Sequence, residues 1–306
     1  MSAARAVVFA YHDVGVRCLK TLLSAGVQVP LVVTVRDDPK ETRWFASVAD
    51  TAREYGLPLV TPEEADAPRL LEQVKQARPD FLFSFYYRSM LGEPILACAA
   101  RGALNMHGSL LPKYRGRAPV NWAILNGERE TGATLHYMVA RADAGDIVDQ
   151  LAVPILADDD AREVFAKVTT AAEIVLARSL PALLEGNAPR HPQPARGQYF
   201  GRRRPEDGRI DWQWPAARVH DLVRAVAPPF PGAFTDVGGR RLWIHRTRVQ
   251  GGDASGPARL FAEHGFCYAA CGGGGVLRIL AAADENGPVD LERTARQWQA
   301  EPVSLS

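Results

Sequence analysis

Short runs that are apolar on both faces alternate with stretches of helical period through the first half of the chain, and this limits the fold more than any other feature. Ala6-Val7-Val8-Phe9-Ala10 and Phe81-Leu82-Phe83-Ser84-Phe85 are the clearest runs. A strand with two apolar faces has to be covered on both, as in a parallel sheet flanked by helices. The pattern predicts strands at 6–10, 27–35, 59–60, 81–85 and 104–107, with helices over 14–25, 43–55 and 69–76 between them. The fold class is therefore α/β, a doubly wound and mainly parallel sheet. Ligands of such sheets sit at the carboxyl ends of the strands.

Asp160 and Glu163 form a capping-box pattern ahead of a long helix, in which Val164, Val168, Ala171 and Val175 share a face. Gly186 marks its end. Residues 187–208 are rich in Pro, Arg and Gly and have no period, the composition of a linker. The expected division is a catalytic domain over 1–188, a linker over 189–207 and a smaller domain over 208–306. In the last part a helix at 216–226 precedes short strands at 233–237, 242–248, 266–270 and 276–282, with turn signals at Gly238-Gly239 and at 272–275. That pattern indicates a small β-barrel. The polar tail after Glu285 is expected to be loosely held.

The net charge of +1 gives the molecule no strong field for nucleic acid or an anionic membrane. Cys18, Cys98, Cys267 and Cys271 are too few for a disulfide framework in 306 residues, and no second His/Cys pair stands near Cys267 and Cys271 to complete a metal site. No apolar run reaches the ~18 residues of a membrane span. His12 and Asp13 interrupt the N-terminal apolar run too early for a signal peptide. The expectations are a cytoplasmic protein with no metal, no nucleic-acid partner and no membrane insertion; its oligomeric state is left open.

Chemistry concentrates between Gly102 and Asp146. Asn105 and His107 lie two apart on a predicted strand, so both side chains share a face at its carboxyl end. The chain then turns through Gly108-Ser109 and Pro112 and loops through Lys113-Tyr114-Arg115-Gly116-Arg117 before Pro119, which suits the first turn of a helix. An amide there can donate to a developing oxyanion and an imidazole can move protons. The bland alternative is an Asn capping its own turn beside a satisfied histidine. The convergence of polar groups on a Gly/Pro-rich loop favours chemistry. A carboxylate from the turn Arg141-Ala142-Asp143-Ala144-Gly145-Asp146 would raise the imidazole pKa. By spacing alone Asp143 and Asp146 are equal candidates. Tyr11-His12-Asp13-Val14-Gly15 follows the first strand in place of Gly-x-Gly-x-x-Gly, so a dinucleotide cofactor is not supported. There is no P-loop and no Gly-x-Ser-x-Gly elbow.

Asn105-Met106-His107-Gly108-Ser109-Leu110-Leu111-Pro112, with Tyr114-Arg115-Gly116, resembles the signature of the folate-dependent formyltransferases. That family includes methionyl-tRNA, glycinamide ribonucleotide and sugar-nucleotide formyltransferases. The stretches 7–15, 83–88, 105–119, 141–145, 200–203 and 223–233 are most similar to the formyltransferase domain of the bifunctional polymyxin-resistance enzymes. The resemblance implies 10-formyltetrahydrofolate as co-substrate and, as acceptor, the 4-amine of UDP-4-amino-4-deoxy-L-arabinose, in lipid A modification. It implies that Asn105 stabilises an oxyanion, that His107 shuttles the proton and that Asp143, rather than Asp146, raises the pKa of His107. It puts folate against Ser89, Met90, Leu91 and Arg117 and the turn Val139, Ala140, Arg141, Ala142, Asp143. Ser89 and Met90 depart from the family's usual residues, which backbone contacts tolerate. It assigns the acceptor to Tyr11, Arg202, Arg203, Pro229 and Phe230, and gives the second domain an oligonucleotide-fold-like form.

Other acceptors are separated by charge. A tRNA enzyme needs a basic surface, whereas the loop 36–42 holds Arg36 and Lys40 against Asp37, Asp38 and Glu41. Arg202-Arg203-Arg204 suits a diphosphate, since guanidinium matches phosphate bidentately, or is simply a solvated linker. Pro228-Pro229-Phe230-Pro231 forms either a wall for a uracil ring or an ordinary turn. A methionyl-tRNA enzyme, another sugar-nucleotide enzyme and a non-catalytic folate- or nucleotide-binding protein are the alternatives.

Overall fold

The computed structural model describes residues 3–37, 43–63, 67–251 and 256–305. Part of the charged loop 36–42 thus lies outside the described residues. The chain divides into two compact units, one of residues 1–119, 130–154 and 165–201, the other of 120–129, 155–164 and 202–306.

The elements follow the predicted alternation. They are β1 (Arg5–Ala10), α1 (His12–Ser24), β2 (Gln28–Val33), α2 (Val48–Glu54), β3 (Leu59–Val60), α3 (Pro68–Ala77), β4 (Phe81–Phe85), α4 (Glu93–Leu96) and β5 (Gly102–His107). Then come β6 (Arg115–Gly116), α5 (Pro119–Leu125), β7 (Glu130–Tyr137), β8 (Ile147–Pro154) and α6 (Ala161–Glu185). The sheet of the first unit has the order β3-β2-β1-β4-β5-β7-β8. Its first five strands pair in parallel, and β7 and β8 run antiparallel. Val7, Val8 and Phe9 of β1 and Leu82 of β4 are fully buried, as strands covered on both faces require. Each such side chain contributes about 1.5–3 kcal/mol of burial.

Two local differences from the sequence pattern have clear causes. Helix α2 starts at Val48 rather than 43, because Ser47 accepts the Asp50 N–H at 3.1 Å and caps it. Trp44 and Phe45 precede that cap and pack on His12 instead, with ring centroids 4.6 and 3.9 Å away. The second difference is in the stretch 187–208. It holds a short strand, β9 (Tyr199–Phe200), paired in parallel with β6, and a 3-10 turn at Pro205–Gly208. The Asp160–Glu163 box forms as expected, each backbone N–H donating to the other's carboxylate at 2.9 Å.

The second unit contains α7 (Ala216–Ala225), β10 (Ala233–Val237), β11 (Arg240–Gln250), β12 (Arg259–Glu263), β13 (Phe266–Ala270), β14 (Val276–Asp284), β15 (Gly287–Pro288), α8 (Leu291–Ala300) and β16 (Val303–Ser304). An antiparallel sheet of order β10-β11-β14-β13-β12-β16 curls into a half-barrel. Trp212 fills its core and donates its indole N–H to Thr235 at 3.0 Å. The tail is not loosely held. Asp290 caps α8 by accepting the N–H groups of Glu292 and Arg293, and Ala295 and Trp298 bury its inner face. Two anchors in ten residues give too faint a period to read from sequence.

Candidate active site

Strand β5 lies where the sheet changes sense, with parallel β4 on one side and antiparallel β7 on the other. Asn105 is registered against Ser84 and His136, and His107, the last residue of β5, against Thr134. The period of two thus sends Asn105 and His107 to one face at the carboxyl end.

The hairpin between β7 and β8 carries Asp143 to them. Asp143 adopts a left-handed φ of 51°. Gly145 follows it because a Cβ there would collide with the Tyr137 carbonyl. The carboxylate is held by the Gly116 N–H, which donates to Oδ2 at 2.8 Å. Its other oxygen lies 3.5 Å from His107 Nδ1, 3.6 Å from His136 Nε2 and 3.5 Å from Asn105 Nδ2. Asn105, His107 and Asp143 are therefore brought together. Asp146 instead accepts the Tyr137 N–H with its backbone carbonyl.

The hydrogen bonds fix the ring states. A carbonyl can only accept, so the Tyr114 carbonyl 2.8 Å from His107 Nε2 puts a proton on that nitrogen. The neutral ring then presents its Nδ1 lone pair towards Asp143. By the same reasoning His136 donates Nδ1–H to the Tyr137 carbonyl at 2.9 Å. Its Nε2 is left to accept one amide hydrogen of Asn105 at 3.1 Å. The second amide hydrogen of Asn105 is only weakly engaged, by Asp143.

Burial pushes the pKa of His107 down; Asp143 and the Tyr114 carbonyl oppose that push without overcoming it, and His136 adds to it. Asp143 acts on His107 in the expected direction, but burial decides the net shift. Burial acts on Asp143 too, raising its pKa. His107, His136 and the Gly116 N–H outweigh it and hold the carboxyl well below the usual range. The pair is thus a carboxylate facing an uncharged imidazole at neutral pH. A proton arriving on Nδ1 would be held between them.

Of the residues expected around folate, Met90 and Val139 are 58% and 46% exposed. Their inner neighbours Leu91 and Met138 pack in one core cluster, which brings the two loops to the same end of the sheet. These loops present apolar side chains to solvent. Ser89 and Ala140 are exposed. Arg117 donates to the Arg88 carbonyl at 3.4 Å, and Arg141 to the Ala195 carbonyl at 3.1 Å. Ala142 accepts the Tyr199 hydroxyl at 2.8 Å.

Of the residues expected to meet the acceptor, Tyr11 stands just beyond β1 and donates to Asp37 at 2.7 Å, with the Arg88 guanidinium over its ring at 4.6 Å. The other four belong to the second unit. Arg202 is exposed. Arg203 lies over Trp122 at 5.0 Å and donates to the Asp207 carbonyl. Pro229 and Phe230 are half-buried in a turn closed by Phe230 N–H to Ala227 at 3.1 Å.

His136, the Gly116 N–H and the Tyr114 carbonyl were not expected. His136 becomes visible only when 130–137 is paired antiparallel with β5. Among the described residues no group of three or more His, Cys, Asp or Glu is placed to hold a metal ion.

Comparison with known proteins gives a family. The formyl transferase model matches residues 6–180, and that for the formyl transferase C-terminal domain matches 203–296. Among solved structures, the chain is similar to an N-formyltransferase from Helicobacter canadensis determined with folinic acid and dTDP-3-aminofucose (20% identity, 91% of this chain and 99% of that one, TM-score 0.71). It is also similar to WlaRD, a sugar 3N-formyltransferase determined with dTDP and 5-N-formyltetrahydrofolate (19% identity, 94% and 99%, TM-score 0.72). A third is glycinamide ribonucleotide transformylase 1 from Symbiobacterium toebii (22% identity, 62% and 93%, TM-score 0.54). With a single family model covering more than half of it, and the C-terminal model most of the remainder, the chain belongs to the formyl transferase family.

Proposed function

We propose that this enzyme transfers the formyl group of 10-formyltetrahydrofolate to the amine of a nucleotide-linked amino sugar, with UDP-4-amino-4-deoxy-L-arabinose as acceptor. The observation that carries formyl transfer is the convergence of Asn105, His107 and Asp143 on one side of β5. Two sugar formyltransferases cover 91% and 94% of this chain, and the glycinamide ribonucleotide enzyme covers 62% of it. The net charge of +1 disfavours tRNA. The choice of a UDP-pentose, and with it a role in lipid A modification and polymyxin resistance, rests on the sequence resemblance. The dTDP-3-aminofucose of one neighbour and the dTDP of another make a dTDP-amino sugar the second reading. The cytoplasm is the proposed setting; among the described residues no helix is long and apolar enough to cross a membrane.

The folate supplies a formyl carbon on a nitrogen leaving group. Asn105 turns its weakly held amide hydrogen to the formyl oxygen as charge develops there. His107, uncharged at rest, takes the proton lost by the attacking amine on Nδ1, where Asp143 stabilises the imidazolium. It returns that proton to the folate nitrogen as the carbon–nitrogen bond breaks.

The test is turnover with 10-formyltetrahydrofolate and, in parallel, UDP-4-amino-4-deoxy-L-arabinose, a dTDP-aminohexose and methionyl-tRNA, with products followed by mass. Product from the pentose alone supports the full reading. Product from another acceptor moves the specificity, and tight folate binding without turnover favours a binding protein. Asn105→Ala and His107→Ala should each cost on the order of 100- to 1000-fold in kcat without unfolding. Near wild-type rates in either would sink the mechanism.

A further inference from the structure

Residues 191–200 lie along the catalytic hairpin and are tied to it at several points. His191 exchanges backbone hydrogen bonds with Ile147, both at 2.9 Å. The Tyr199 hydroxyl donates to the Ala142 carbonyl, and the Phe200 carbonyl accepts the Arg117 N–H at 2.9 Å. Gln193 stands at the centre. Its Oε1 accepts from Arg115 Nε at 3.3 Å and Nη2 at 2.8 Å. Its Nε2 donates to the carbonyls of Asp143 at 3.1 Å and Gly145 at 2.6 Å. One end of the carboxamide meets only donors and the other only acceptors, so its orientation is fixed by chemistry.

Arg115 is unusual as a stabilising element. It is fully buried, it is held by the neutral oxygens of Gln193 and Pro194, and its Nη1 has no hydrogen-bond partner among the described residues. Burying a guanidinium in this way is costly. What it achieves is geometric. Arg115 is flanked by Tyr114, whose carbonyl orients His107, and by Gly116, whose N–H holds Asp143. Through Gln193 it is connected to the backbone on both sides of Ala144.

We propose that Gln193 is a positioning residue: it clamps the Asp143–Gly145 turn to the Arg115 loop and so sets the Asp143 carboxylate against His107. The clamp explains how a non-glycine residue is kept at a φ of 51° at this turn. This inference rests on the reading of Asp143 as the carboxylate that serves His107.

Gln193→Ala, Gln193→Glu and Asp143→Asn separate the possibilities. Each is assayed for kcat, for the folate co-substrate's KM and for the pH profile, with folding checked by circular dichroism. The His107 ring is also titrated by NMR, a readout that needs no turnover. His107 faces Asp143 and His136, and the cations held by residues 193–195 are Arg115 and Arg141. Gln193→Ala should lower kcat on the order of ten- to a hundredfold, as small misplacements of reacting groups do. KM should change little, and the His107 titration should move down as Asp143 relaxes away from it. Gln193→Glu keeps an acceptor for Arg115 but sets a carboxylate oxygen against two carbonyls, so it should behave like the Ala variant. Wild-type kcat and an unmoved His107 titration in folded Gln193→Ala would overturn the proposal, as would full rescue by Glu, which would reduce Gln193 to a tie for Arg115. Wild-type turnover in Asp143→Asn would instead remove the underlying reading of the site, an outcome the Gln193 variants alone cannot produce.

Discussion

Asn105 on β5 and His136 on β7 face each other across the antiparallel seam of the sheet, with the Asn105 amide nitrogen 3.1 Å from His136 Nε2. His136 is 1% exposed and its other nitrogen is committed to the Tyr137 carbonyl, so its ring cannot turn without losing a buried hydrogen bond. It therefore fixes which way the Asn105 amide points. His136→Ala should lower kcat on the order of tenfold, less than Asn105→Ala, because the amide survives but is no longer oriented. KM for the folate should stay near wild type. A wild-type kcat in a folded His136→Ala protein would show that Asn105 needs no such support.

His136 also marks a limit of what the sequence discloses. Asn105 and His107 were legible because two residues on one strand share a face, a local property. The parallel core was legible for a related reason: β1 and β4 are apolar on both faces. His136, by contrast, reaches Asn105 only through a register between strands, and spacing along the chain carries no sign of register. The choice between Asp143 and Asp146 needed the resemblance, because both lie in one hairpin and only its folded turn separates them. Gln193 sits in a Pro-rich stretch with no period at all. Its partners are the backbone carbonyls of Asp143 and Gly145, which any residue could supply.

The pH profile should carry the signature of a buried histidine. Catalysis as proposed needs His107 uncharged at rest, so activity is lost as pH falls through its pKa. Burial lowers that pKa, so the acid limb of kcat/KM should lie below the ordinary histidine value of about 6.5. Asp143 opposes the lowering. Asp143→Asn should therefore move the limb to still lower pH while reducing the plateau rate. An acid limb above 6.5, or one that rises in Asp143→Asn, would mean that another group controls the profile.

Gly108, immediately after His107, admits no side chain. A Cβ there would collide with the Tyr86 hydroxyl. That hydroxyl is buried and has no hydrogen-bond partner among the described residues, so its removal leaves nothing unpaired there. Tyr86→Phe alone should be neutral or slightly stabilising in urea unfolding. Gly108→Ala should destabilise the protein by about 1–3 kcal/mol, as overpacking does. Combining the two should recover part of that loss but not all, since the ring's ζ carbon also crowds the new methyl. Equal stability of the single and double variants would show that the collision is relieved elsewhere.

His12 should make the fold sensitive to acid. It lies between Phe45, Trp44 and Phe165, with ring centroids 3.9, 4.6 and 4.4 Å away, and its Nδ1 accepts the Asp13 N–H. Burial, with a smaller contribution from Arg88, lowers its pKa to about 3. The unfolded chain takes up this proton below about 6.5, and the folded protein does not until about 3. Between those values the unfolded state binds more protons, so stability falls as pH falls through that window. His107, also lowered, acts with the same sign. The check is the urea midpoint between about pH 7.5 and about pH 4 for wild type and for His12→Asn, a residue that tolerates the left-handed φ of 67° at this position. The variant should start less stable at the higher pH, having lost its aromatic contacts, and lose less on acidification. If both midpoints fall in parallel, His12 is not the group that senses acid.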